Sequence, residues 1–156
     1  VRLELPAAWK GSATALMPIA GTPHAYRADD FDTLVDSPIV AGNPVTRTFM
    51  VDGTRHVLVL EGDPSLFDAD RAAADIQQIV EAGRRVMGPL LYPHYYFINM
   101  VVDTGGGLEH KNSFLTMSGR FTTRNPRSYA SWLSLVAHEY FHNWNVKRLR
   151  PVELGP

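Results

Sequence analysis

The chain of 156 residues reads as an α+β fold, and three observations predict it. β-Rich runs separated by turn residues occupy the first 61 positions. Two segments, 67–87 and the stretch from about Ser128 onward, carry the 3.6-residue period of helices. Between them stands a continuous apolar run, Tyr95–Val102, long enough for a strand and too short for a helix that spans anything. Composition agrees: 45% hydrophobic and 20% charged residues are ordinary for a globular chain. The net charge of −1, with no long run of either sign, gives nucleic-acid or anionic-membrane binding no support. The absence of cysteine excludes disulfides and thiolate metal sites. No apolar run approaches the roughly 18 residues of a membrane span.

Residues 1–45 read as the tail of a β-rich domain followed by a linker. Val1–Leu5 alternates, Ala13–Met17 is a short apolar run, and Gly21-Thr22-Pro23, Ser37-Pro38 and Gly42-Asn43-Pro44 are breaks. The acidic run Asp29-Asp30-Phe31-Asp32 lacks the alternation and Gly turn of a calcium loop, so a solvated loop is expected. A second unit, 46–156, opens on a hairpin. Thr46–Val51 and Thr54–Glu61 are β-rich, and Asp52-Gly53 is the favoured type I′ pair. His56 is expected at a surface or strand edge. The helix at 67–87 starts at Asp68 as N-cap with Asp70 in its first turn. Ala73, Ile76, Ile79, Val80, Val86 and Met87 form its apolar stripe. Gly83 interrupts that stripe and Gly88-Pro89 ends it.

The strand Tyr95–Val102 follows, with at most one of Tyr95 and Tyr96 facing a cleft. Ser113–Ser118 is a further strand, and Gly119–Asn125 a loop. Pro126 suits the first turn of the last helix. Trp132, Leu135, Val136, Tyr140 and Trp144 give that helix its period. Its end is expected near Lys147-Arg148, where cations favour the dipole, before Pro151. Trp132, Tyr140, Phe141 and Trp144 are expected in the core. The chain opens in alternating residues and stops at Leu154-Gly155-Pro156. It therefore reads as an internal piece of a longer protein, with the compartment left open between cytoplasm and periplasm.

Two stretches carry chemistry. The first is His138-Glu139-Tyr140-Phe141-His142, an H-E-x-x-H pattern. On a helix, residues four apart share a face, so both imidazoles can bind one Zn²⁺. Glu139 then stands where a carboxylate can act on a water beside the metal. The second is Gly105-Gly106-Gly107-Leu108-Glu109-His110, directly after a buried strand. A dinucleotide-binding reading fails, since the third glycine position is not Gly and no helix follows. One reading is a tight turn that only joins two strands. The other is a glycine-rich edge along which a peptide can lie as an added strand. Glu109 would then present its charge to a cationic α-amino group.

Together these motifs resemble the glycyl aminopeptidase family of gluzincin metallopeptidases. Gly106-Gly107-Leu108-Glu109-His110 occupies the place of the Gly-Ala-Met-Glu-Asn motif of zinc aminopeptidases. The runs Gly105–Ser113, His138–Pro151 and the junction-like Asp30–Pro38 extend the resemblance. It implies a thermolysin-like (zincin) catalytic domain, of which 46–156 is the first part, between an N-terminal β-domain and a C-terminal PDZ domain. It implies His138 and His142 as zinc ligands, Glu139 as general base, and Glu109 as anchor of the substrate's free N-terminus. Gly106 and Gly107 align the substrate backbone, and His110 takes the place of the motif's Asn. The third ligand, a glutamate on the next helix, is expected beyond Pro156; Glu153, past Pro151, is not expected to serve. The chain by itself is then expected to bind zinc weakly and to hydrolyse nothing. The parent is expected to remove N-terminal residues from peptides, with the family name implying Gly or Ala.

Other readings stay open: a different zinc hydrolase or endopeptidase on this scaffold, or a peptide-binding scaffold protein with a vestigial site. Asn143, Asn145, Lys147, Arg148 and Arg150 are equally compatible with orienting the histidines and with surface or capping roles.

Overall fold

A computed structural model describes residues 1–154 of the chain. Gly155, Pro156 and the expected third ligand lie outside the described residues. The N-terminal part holds β1 (Gly11–Thr14), β2 (Met17–Pro18), β3 (Tyr26–Arg27), the short helix α1 (Phe31–Val35) and β4 (Ile39–Gly42). Strands β1 and β4 pair antiparallel, as do β2 and β3. Two expectations are corrected here. Val1–Leu5 makes only an isolated bridge, Arg2 to Ala25, although Val1 exchanges backbone hydrogen bonds with Tyr26 of β3 at 2.8 Å. The acidic run is a helix start rather than a loop: the Asp30 carboxylate accepts from the Thr33 N–H at 2.7 Å, which caps α1.

The remaining elements are β5 (Val45–Val51), β6 (Thr54–Gly62), α2 (Ala69–Met87), β7 (His94–Val101), β8 (Gly106–Glu109), β9 (Ser113–Ser118) and α3 (Pro126–Phe141). They form a mixed five-stranded sheet in the order β5-β6-β7-β9-β8. The Asp52-Gly53 turn has φ of 48° and 76°, as type I′ requires, and joins β5 to β6. Strands β6 and β7 run parallel, so α2 is the crossover between them. Both central strands are covered on two faces. Leu58, Leu60 and Phe97 face α2 and α3, whereas Val57, Val59 and Ile98 pack with Ala13 and Val40 of the N-terminal strands. This explains the nearly continuous apolar runs of β6 and β7.

Asp68 caps α2, its carboxylate accepting from the Arg71 N–H at 3.0 Å. Gly83 sits where this helix crosses α3. A Cβ there would lie 3.1 Å from Tyr140 Cε1 and 3.2 Å from Trp144 Cη2. Val86 leaves the stripe and is exposed, as is Phe141, because each points off the face that meets the sheet. His56 is fully buried rather than at a surface, since β6 is an inner strand.

The last helix ends at Phe141, not near Lys147-Arg148. The chain turns there because Arg148 folds back to donate to the Asn143 carbonyl at 2.8 Å, while the Leu149 N–H reaches the Trp144 carbonyl at 2.7 Å. Val146 pivots this turn at φ 85°, a conformation that strains a β-branched residue. Among the described residues no helix is long and apolar enough to cross a membrane.

Candidate active site

The rotation of α3 about its axis decides which side chains reach the site, and buried polar contacts set it. Trp132 donates its indole N–H to Asn99 Oδ1 at 2.9 Å, and Thr116 donates to the same oxygen at 3.0 Å. Asn99 Nδ2 in turn donates to Ser118 Oγ at 2.9 Å. These bonds tie α3 to β7 and β9 with every Asn99 group used. At the last turn of the helix, Tyr140 meets Tyr92 at 2.5 Å, and Tyr92 meets His56 Nε2 at 2.9 Å. His56 Nδ1 lies 3.0 Å from the Thr54 carbonyl, which can only accept. The neutral ring therefore donates from Nδ1 and accepts at Nε2, so the hydroxyls run Tyr140 to Tyr92 to His56. Burial pushes the His56 pKa down to about 4, only partly opposed by the Thr54 carbonyl, which keeps the ring in this state.

With Trp132, Val136 and Tyr140 turned to the sheet, His138 and His142 emerge on another side. Their Nε2 atoms stand 3.1 Å apart. Two nitrogens held at about 2.05 Å by a tetrahedral zinc lie about 3.3 Å apart, so the pair fits such an ion. His142 Nδ1 lies 3.3 Å from the Asn145 carbonyl; donation there leaves Nε2 free as a ligand. Ligand atoms of Glu109, Glu139 and His142 all fall within 4.8 Å of one another. Neither His138 nor Glu153 is in this group; His138 meets it only through its 3.1 Å contact with His142.

Glu139 is 5% exposed, although it sits one residue from the exposed His138. The reason is β8, which runs past α3 at the edge of the sheet and carries Gly107 against the carboxylate. A Cβ on Gly107 would lie 2.6 Å from Glu139 Cδ. Only glycine allows this approach. Burial raises the Glu139 carboxyl above the usual range. His138 and His142 pull it back, and Glu109 pushes it further up. A carboxylate raised this way is a better proton acceptor near neutrality. Strand β8 pairs only with β9, antiparallel, so among the described residues its other side has no strand. Gly106, Gly107 and Glu109 thus line an open edge beside the histidine pair.

His110 takes a partner that the spacing of the motifs does not indicate. Its Nδ1 lies 3.3 Å from Asp36 Oδ1, and its ring is largely buried. Asp36 also accepts from the Lys111 N–H at 2.7 Å and from Lys147 Nζ at 2.8 Å. Burial alone would raise the Asp36 carboxyl, but these donors, Lys147 foremost, hold it below the usual range. Arg148 is a second knot. It donates to the carbonyls of Lys111 at 2.9 Å and Leu91 at 3.1 Å, to Asn112 Oδ1 at 3.0 Å, and to Asn143. Neither Asp36 nor Tyr92 stands at a motif spacing. The only sequence signal for Asp36 was its place in the Asp30–Pro38 stretch.

Comparison with known proteins follows the same two regions. The profile of the M61 glycyl aminopeptidase matches residues 131–156, and that of the peptidase M61 N-terminal domain matches residues 1–43. Among curated proteins none matches the chain. Among solved structures, an aminopeptidase N family protein from Idiomarina loihiensis is 35% identical, with a TM-score of 0.80. The similarity covers 94% of this chain and 26% of that one, so the chain spans about a quarter of that relative's length. With matches at both ends and a similar structure between them, the chain belongs to the M61 glycyl aminopeptidase family.

Proposed function

We propose that residues 46–156 are the first part of a thermolysin-like catalytic domain, preceded by the tail of an N-terminal β-domain, and carry the base and the substrate-binding edge of a zinc-dependent aminopeptidase. The observation that carries this reading is the convergence of Glu109, Glu139 and His142 within 4.8 Å, beside an open glycine-rich strand. His138 and His142 would hold the metal through Nε2, with a family glutamate from beyond Pro156 as third ligand. When bound, zinc supplies Lewis-acid polarisation of the scissile carbonyl and acidification of water. The chain's own residues do the rest. Glu139 accepts a proton from the attacking water on its carboxylate and returns it to the leaving amine. Glu109 accepts hydrogen bonds from the substrate's α-ammonium, which fixes the first peptide bond as the one attacked. Strand β8 lends backbone groups from Gly106 and Gly107 to the extended substrate. A Gly or Ala preference and an attached PDZ domain belong to the same reading.

The test uses the full-length protein with peptides of free and acetylated N-terminus, before and after chelation. Activity should vanish with chelator and return with zinc. Glu109→Gln should lower kcat/KM on free-amine peptides about 100-fold, the cost of one charged anchor. Equal cleavage of blocked peptides by the wild type would show an endopeptidase instead, and activity unaffected by chelation would remove zinc from the mechanism.

A further inference from the structure

The turn joining β8 to β9 carries Glu109 at its start, and both backbone groups of one of its residues are held. The Lys111 N–H goes to Asp36 and the Lys111 carbonyl to Arg148. The His110 N–H closes the turn on the Ser113 carbonyl at 2.9 Å. Asp36 belongs to neither strand. It follows α1, in the N-terminal region, and bonds at the same time to Lys147 beyond the motif helix. One carboxylate therefore indexes three parts of the chain to each other. Packing does not do this alone. An open pocket of about 820 Å³ borders the turn, lined among others by Asp32, Asp36, Lys111, Asn112 and Lys147.

We propose that Asp36 is a positioning residue: from the N-terminal segment it latches the β8–β9 turn and so sets the place of Glu109 relative to His142 and Glu139. The meaning given to Glu109 rests on the aminopeptidase reading; the latch rests on the contacts alone. Only His110 separates Lys111 from Glu109, so the latched peptide is two residues along the chain from the carboxylate it is proposed to place. Asparagine at position 36 can still accept from the Lys111 N–H, but its amide turns a donor toward Lys147 or His110 and drops the charge.

The experiment compares wild type, Asp36→Asn and Lys147→Met in the full-length protein. Amide hydrogen exchange across Gly106–Lys111 should rise about tenfold in Asp36→Asn, with α3 as protected as before. KM for a free-amine peptide should rise about tenfold with kcat within about threefold, and zinc content should not change. Unchanged exchange across Gly106–Lys111, or a fall in kcat at constant KM, would overturn the latch. If Asp36→Asn loses protection everywhere, Lys147→Met decides. It keeps the Lys111 and His110 contacts and should give a smaller rise confined to the same segment; no rise there overturns the proposal. A wild type without aminopeptidase activity would refute the functional reading, while the exchange measurement would still judge the latch.

Discussion

Replacing Gly107 by alanine tests the approach of strand β8 to the motif helix. Gly107 has no positive φ, so alanine meets no backbone penalty. The new Cβ would stand 2.6 Å from Glu139 Cδ and 2.8 Å from Cγ. Carbon atoms rest at about 3.5–4.0 Å, so the pair must part by about 1 Å. Strand β8 is held by its ladder with β9, and α3 by the Trp132–Asn99 bond, which leaves the Glu139 side chain to yield. Its displacement into the site should cost only about 1 kcal/mol of stability, as modest overpacking does. Its effect on catalysis should be far larger. A misplacement of about 1 Å in a reacting group costs about 100-fold, or about 2.7 kcal/mol in the barrier. The assay is steady-state hydrolysis of a free-amine peptide by the full-length protein, beside urea denaturation and zinc content. A kcat near 1% of wild type in a folded, zinc-loaded variant is expected. Wild-type kcat would show that Glu139 need not occupy the position argued for it.

Two further outcomes follow from buried contacts. His56 is neutral in the fold with its pKa lowered to about 4, whereas the unfolded chain titrates near 6.5. Between those values the unfolded state binds the extra proton, so stability is complete above pH ~6.5 and falls as pH drops toward ~4. The loss should reach roughly 2 kcal/mol after solvent screening, and urea midpoints of wild type and His56→Gln at pH 7 and 4.5 should differ in slope; equal slopes would contradict the assignment. Gly83→Ala gains about 1 kcal/mol of helix propensity but forces a methyl against Tyr140 and Trp144. Overpacking there should leave the variant about 1–2 kcal/mol less stable, and a raised urea midpoint would argue against the close crossing.

What the chain displays locally could be read locally. The Asp52-Gly53 hairpin, the Asp68 cap and the stripe of Ala73, Ile76 and Val80 need only neighbours within a few residues. Where the reading failed, a distant partner had won. His56 alternates like an edge residue, but β7 and Tyr92 enclose it. The cations at Lys147 and Arg148 look like a helix end, but Asp36 and the β8–β9 turn recruit them away from the helix axis. Val86 continues a periodic stripe that outruns the sheet it would cover.

The same division holds at the site. Spacing alone puts His138 and His142 on one helical face and Glu139 between them, because 3.6 residues per turn is a property of the backbone. Spacing alone also presents three glycines followed by a carboxylate. It says nothing of the separation between Glu109 and Glu139, thirty positions apart in the chain. That was decided by strand order: β9 slots between β7 and β8, so the glycine strand becomes the edge and passes α3. It was decided also by Asp36, from more than seventy positions before the turn it holds. Contacts over such separations depend on which surfaces the whole core leaves free, and no local pattern encodes that.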